Sequence, residues 1–88
     1  MENTATKLKT SIASETIYEI KRSETEVIRI SYCKPEGRKA FIDQRVYFLD
    51  AKTGEFRPTK KGFTVNPGLV EELAKGYLEA DEFIQKKL

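Results

Sequence analysis

Between residues 17 and 65, apolar and polar positions alternate with a period of two, the pattern of half-buried strands. In residues 17–21 (IYEIK), Ile17, Glu19 and Lys21 oppose Tyr18 and Ile20. After a polar break at Ser23-Glu24-Thr25, residues 26–34 (EVIRISYCK) place Ile28, Ile30 and Tyr32 on one face and Arg29, Ser31 and Cys33 on the other. Pro35-Glu36-Gly37 marks a turn. Residues 39–50 (KAFIDQRVYFLD) suit a long, curved strand. Ile42, Gln44, Val46 and Phe48 share one side of it, and Phe41, Asp43, Arg45, Tyr47 and Leu49 the other. Ala51-Lys52-Thr53-Gly54 closes the next hairpin, and residues 55–65 (EFRPTKKGFTV) carry Phe63 and Val65 as core candidates. Pro58 has no ladder donor and Gly62 permits a bend, so this strand is expected to be broken or to lie at an edge.

After Val65 the period changes. Asn66 is an N-cap residue and Pro67 suits the first helical position, where a missing N–H leaves nothing unpaired. Glu71 and Glu72 near the start, with Lys86 and Lys87 near the end, complement the helix dipole. Leu69, Val70, Leu73, Tyr77, Ala80, Ile84 and Leu88 recur at helical spacing, and Ala74, Leu78 and Phe83 widen the stripe. The predicted fold is α+β: a curved four-stranded antiparallel sheet followed by one C-terminal helix, ββββα. The stripe is wider than one small sheet covers. Leu73, Tyr77, Leu78, Ala80, Phe83 and Ile84 are therefore candidates for a homodimer interface, with a wholly intramolecular core as the alternative.

Eighty-eight residues make one small domain, which hides only about 60–65% of the surface its unfolded chain exposes. Residues 1–15, rich in Ser, Thr, Ala and Lys, are expected to form a flexible N-terminal tail, and residues 16–88 the domain. No apolar run approaches the roughly twenty residues that cross a bilayer, and the N-terminus lacks a secretory core, so no membrane partner is expected. The chain has no histidine and one cysteine, Cys33. Imidazole bases and ligands, intrachain disulfides and cysteine-built zinc sites are excluded together. No cofactor or metal is expected. Asp43 and Asp50, seven residues apart on one strand, stand about 23 Å from each other at 3.3 Å per residue, so a carboxylate pair acting on one bond is not available. A non-catalytic role follows, with Asp43 paired to a neighbouring cation and Cys33 a structural thiol.

The net charge of +2 hides an asymmetry: residues 1–26 carry −1, residues 27–65 carry +5 and residues 66–88 carry −2. The basic middle interleaves cations with flat rings: Arg29 with Tyr32, Lys39 with Phe41, Arg45 with Tyr47, Phe56 with Arg57, Lys60 with Phe63. Single-stranded nucleic acid needs this combination, since its phosphates require a cationic track and its unpaired bases require surfaces to stack on. A duplex would gain only the phosphate contacts. Ordinary solvated charge and core aromatics remain the alternative, and for Phe63 the core reading is preferred.

The stretches IDQRVYFLD (residues 42–50) and GEFRPTKKGFTVNP (residues 54–67), followed by an amphipathic helix, resemble the positive cofactor four family of transcriptional coactivators. The resemblance covers roughly residues 17–88 and is most specific over residues 41–67. It implies a homodimer that binds single-stranded DNA in grooves formed by the curved sheets. Carried over by motif, the groove arginine falls on Arg45, the paired cations of the fourth strand on Lys60 and Lys61, and a basic residue before the third strand on Lys39. The family's aromatic near the end of the third strand falls on Phe48, although alternation places Tyr47 beside Arg45, and a bulge is needed for Phe48 to stack. The aromatic of the second strand corresponds to Tyr32, which parity groups with Ile28 and Ile30.

Several positions depart from the family pattern. Phe48 stands where tryptophan is common, Val70 replaces a large aromatic, and CKPEGRK is a longer turn from which Lys34 and Arg38 reach the groove differently. The absence of a long Ser-rich tail favours a compact bacterial or viral member serving replication, recombination or repair. The expected location is intracellular: the cytoplasm or nucleoid of a bacterium or infected cell, or the nucleus of a eukaryote. Two other readings compete with single-stranded DNA binding. One is RNA binding in the same groove, because stacking and phosphate contacts scarcely separate the sugars. The other is a protein-interaction module contacting transcription or replication machinery through Glu72, Glu79 and Glu82 on the helix exterior.

Overall fold

The computed structural model describes residues 12–88. Four strands, β1 (Ile12–Lys21), β2 (Glu26–Pro35), β3 (Phe41–Asp50) and β4 (Glu55–Val65), form one antiparallel sheet in chain order. A 3₁₀ turn (Pro67–Leu69) leads into α1 (Val70–Lys87). The ββββα order is the expected one. No described helix is long and apolar enough to cross a membrane.

Hairpin chemistry sets the connections. Gly37 and Gly54 both have positive φ, 74° and 76°, which side chains disfavour. At the β3–β4 turn the Asp50 carbonyl accepts from the Thr53 and Gly54 N–H groups, while the Asp50 carboxylate accepts from the Lys52 N–H. At the helix start Asn66 Oδ1 accepts from the Gly68 N–H at 2.7 Å. Asn66 therefore caps a 3₁₀ turn, and α-helical geometry begins at Val70, three residues after Pro67.

The sheet departs from the expected boundaries at two places. β1 starts at Ile12, so residues 12–15 belong to a strand and not to a tail, which for residues 1–11 lies outside the described residues. Backbone pairing with β2 (Ser14 opposite Cys33, Thr16 opposite Ser31) satisfies a segment whose polar composition gave no sign of it. Ile17 is the extra residue of a bulge between Thr16 and Tyr18. In β4 the register jumps. Gly62 faces Arg45 and Pro58 faces Tyr47, which leaves Thr59, Lys60 and Lys61 opposite Val46 alone. As expected from Pro58, β4 lies at an edge.

Register sorts side chains onto two faces. One, here the inner face, carries Val27, Arg29, Ser31 and Cys33 from β2 against Tyr47, Arg45, Asp43 and Phe41 from β3. The outer face carries Tyr18 and Ile20, Ile28 and Ile30, Tyr32, Ile42, Gln44, Val46, Phe48, Phe63 and Val65. No other described element packs on the inner face, yet Val27, Ser31, Cys33 and Asp43 are buried on it. The first half of α1 leans over the outer face and leaves an open hollow of about 150 Å³ lined by Ile30, Ile42, Gln44, Phe63, Val65, Val70, Leu73, Ala74 and Tyr77. Phe63 is 47% exposed, so the expected core residue is only half covered, and of that pair Val65 alone is buried. A single sheet with one loosely seated helix has no second layer to finish the burial.

Candidate nucleic-acid interface

The inner face holds two arginines directly opposed, Arg29 on β2 and Arg45 on β3. Arg45 is largely committed to its own chain. Its Nε and Nη2 donate to the Asp43 carboxylate, the shortest contact at 2.8 Å, and its Nη1 donates to the Thr59 carbonyl at 3.0 Å. Asp43 lies two residues away on the same strand and is 8% exposed, so the guanidinium stabilises a buried carboxylate. The hydrogen bond to Asp43 raises the Arg45 pKa further above its ordinary value. Arg45 is thus fixed in place and permanently charged.

The bulge of β4 is pinned beside it. Thr59 Oγ1 donates to the Val46 carbonyl at 2.8 Å and accepts from the Lys61 N–H at 3.1 Å. Lys60 and Lys61 are exposed at the sheet edge and form no ion pair among the described residues. A Cβ at Gly62 would fall onto the Gln44 carbonyl oxygen and come within 2.8 Å of Arg45 Cα and Cβ. Only glycine lets β4 lie this close to Arg45. Lys61 also borders a shallow hollow with Ile28, Gln44, Arg45, Val46, Gly62 and Phe63, so one cation of the bulge lies beside outer-face residues.

The candidate aromatics divide between the faces. Tyr47 shares the inner face with Arg45 and packs against Arg29, whose Cζ lies 4.6 Å from the ring centroid. Phe48 is on the outer face, opposite Glu26 and Arg57, and 49% exposed. The β2–β3 register runs unbroken through both positions, so β3 has no bulge to turn Phe48 toward Arg45. Tyr32 is likewise on the outer face, opposite Ile42. Neither can join Arg45 on one surface of this subunit. Lys39 precedes β3 in an exposed connection, where Arg38 also lies, and Lys34 Nζ donates to the Arg38 carbonyl at 2.7 Å, tying the turn.

One inner-face group, Arg29, escaped the sequence reading as a site residue, whereas Cys33 is the structural thiol expected. Arg29 donates from Nε to Glu19 at 2.7 Å and lies over both Tyr47 and Phe56, the latter at 5.7 Å. Parity alone puts Arg29 and Tyr47 on strands of compatible phase, but only the register brings them together. Burial pushes the Cys33 thiol pKa up, with the Ser14 hydroxyl opposing in part. Cys33 is a neutral, buried group at ordinary pH. Among the described residues no three Cys, Asp or Glu side chains gather as a metal site.

The fold and this face together describe a single-layer antiparallel platform with fixed guanidiniums, flat rings and a cationic edge. The chain is similar to the RNA polymerase II transcriptional coactivator SUB1 of Saccharomyces cerevisiae, 44% identical over 45 residues. That match takes in 51% of this chain and 15% of the yeast protein, so the chain spans a small part of its relative's length. The relative is eukaryotic and lends no support to the expected bacterial or viral origin. No protein-family model matches the chain, and no solved structure matches it.

Proposed function

We infer that this chain is a non-catalytic nucleic-acid-binding domain of a transcription-related protein, and that its ligand is single-stranded DNA laid across the inner face. The observation that carries the reading is the opposed Arg29–Arg45 pair beside Tyr47, on a sheet face that no other described element covers. Phosphates would meet Lys60 and Lys61 at the pinned bulge, Lys39 before β3 and the outer edge of the Arg45 guanidinium. Lys34 and Arg38 would lie at the periphery. Bases would stack on Tyr47, the ring that shares a surface with the arginines. Similarity to a yeast transcriptional coactivator supports a role in transcription. RNA is the variant ligand that the same contacts accept.

Binding of this kind is completed by self-association. Leu73, Tyr77, Leu78, Phe83 and Ile84 are exposed along α1, as are Tyr18 and Ile20 on the outer face of the sheet. So much apolar surface on a domain this small supports a homodimer through α1 and the outer face. In such a dimer Phe48 and Tyr32 would lie near the subunit boundary or in a groove built by both copies.

Fluorescence anisotropy with a labelled twenty-nucleotide single strand and its duplex tests the reading. Preference for the single strand, with affinity falling as salt rises, is the expected result. Equal affinity for both, or no binding at low salt, would remove it.

A further inference from the structure

Arg29 is placed unlike the other cations. Its charge is already met by Glu19 at 2.7 Å, so a phosphate there would have to displace a carboxylate of the same chain. What the guanidinium still offers is its plane. It lies over the rings of Tyr47 and Phe56, at 4.6 and 5.7 Å from their centroids, and its side chain is 26% exposed. Three strands contribute one flat group each: β2 gives Arg29, β3 gives Tyr47 and β4 gives Phe56. The guanidinium lies on both rings, so the face it turns away from them is the surface a nucleobase would meet. Guanidinium is weakly hydrated and stacks on aromatic surfaces, and Glu19 fixes its orientation before any ligand arrives.

We propose that Arg29, Tyr47 and Phe56 form a base-stacking platform in which Arg29 contacts the ring of an unpaired base and not a phosphate. This rests on the single-stranded nucleic-acid reading above and assigns the base recognition within it. The two kinds of arginine contact differ in measurable ways. A phosphate contact releases counterions and adds about one unit to the salt slope, whereas a stacked base adds affinity, about fivefold or more, with little salt dependence.

The test compares two oligonucleotides of equal length, one carrying bases and one built from abasic tetrahydrofuran units, titrated at several salt concentrations. Wild type should bind the base-bearing strand at least fivefold more tightly. Arg29→Ala should lose fivefold or more on that strand, bind the abasic strand within twofold of wild type, and keep the same salt slope. Arg29→Lys retains a cation for Glu19 but has no plane, and Phe56→Leu retains bulk but has no ring. Both should reproduce the selective loss even if Arg29→Ala fails to fold. Equal weakening on both strands with a shallower slope would make Arg29 a phosphate contact and overturn the proposal. Unchanged binding of the base-bearing strand by folded Arg29→Lys and Phe56→Leu would reduce the cluster to sheet packing and also overturn it. Failure of wild type to bind either strand would instead remove the underlying reading, which separates the two failures.

Discussion

Arg29 and Arg45 face each other across β2 and β3, two guanidiniums in directly opposed positions on a sheet face that no other described element covers. Like charges in that relation are destabilising by some tenths of a kcal/mol or more. Each is offset by a carboxylate of the same face, Glu19 for Arg29 at 2.7 Å and Asp43 for Arg45 at 2.8 Å. The arrangement holds positive charge ready without leaving it uncompensated.

A first prediction concerns stability. Truncating Arg45 leaves the Asp43 carboxylate buried without its partner and frees the Thr59 carbonyl, which it also holds. Arg45→Ala should lower the unfolding free energy by about 1–3 kcal/mol in urea titrations. Arg45→Lys should recover part of it, because one ammonium cannot match the forked contact. A variant as stable as wild type would show that the pair contributes nothing.

Lysine and arginine should also separate in binding. Lys60 and Lys61 form no ion pair among the described residues, so neutralising a phosphate there costs no internal contact. Lys60→Ala and Lys61→Ala should each weaken single-strand binding and reduce the salt slope by about one unit. Arg45, already matched by Asp43, should change the slope by less. A larger slope change for Arg45 than for either lysine would reverse this division of roles.

Two glycines make opposite predictions. At Gly62 an added methyl meets the backbone of Gln44 and Arg45, so Gly62→Ala must open the β3–β4 pairing. A loss of about 1–3 kcal/mol is expected, with weaker binding because the bulge shifts. Gly76 lies inside α1, and a methyl added there would have no neighbour within 4 Å, so Gly76→Ala should raise stability by up to about 1 kcal/mol. Thermal melts of the pair would distinguish a steric requirement from a propensity defect.

Much of this architecture was legible because its signals are local. Alternation gave the four strands, Pro58 gave the edge, Asn66-Pro67 gave the helix entry, and i, i+2 parity joined Asp43 to Arg45 on one face. Pairing partners were not legible. Thr59, Lys60 and Lys61 are consecutive polar residues with no alternation to show that all three oppose Val46. Residues 12–15 read as loose because their strand character comes from β2 and not from their own side chains. Motif correspondence nominated Phe48 and Tyr32 as stacking aromatics, and the unbroken β2–β3 register keeps both where alternation puts them, on the face opposite Arg45. Arg29 was visible as a cation on a strand, but its contact with Tyr47 exists only in that register.

The β3–β4 hairpin carries the last prediction, a dependence on acid. The Asp50 carboxylate accepts from Arg57 Nε at 2.8 Å and from the Lys52 N–H at 2.9 Å. Of these, the Arg57 contact does most to hold the Asp50 pKa below the ordinary carboxylate value, with the Lys52 N–H second. A carboxyl whose pKa is lower folded than unfolded contributes stability above the unfolded value, near 3.9, and loses it as pH falls through the folded value. Asp50 should therefore leave stability flat from neutral pH down to about pH 5 and lower it progressively below about pH 4. Asp50→Asn keeps an oxygen for the Lys52 N–H but gives up the charge facing Arg57. It should be less stable than wild type at neutral pH, with the difference closing in acid. Urea midpoints for both proteins across that range would show the two curves converging. Parallel curves would mean that the Asp50–Arg57 pair, although well formed, is matched by an equal interaction in the unfolded chain.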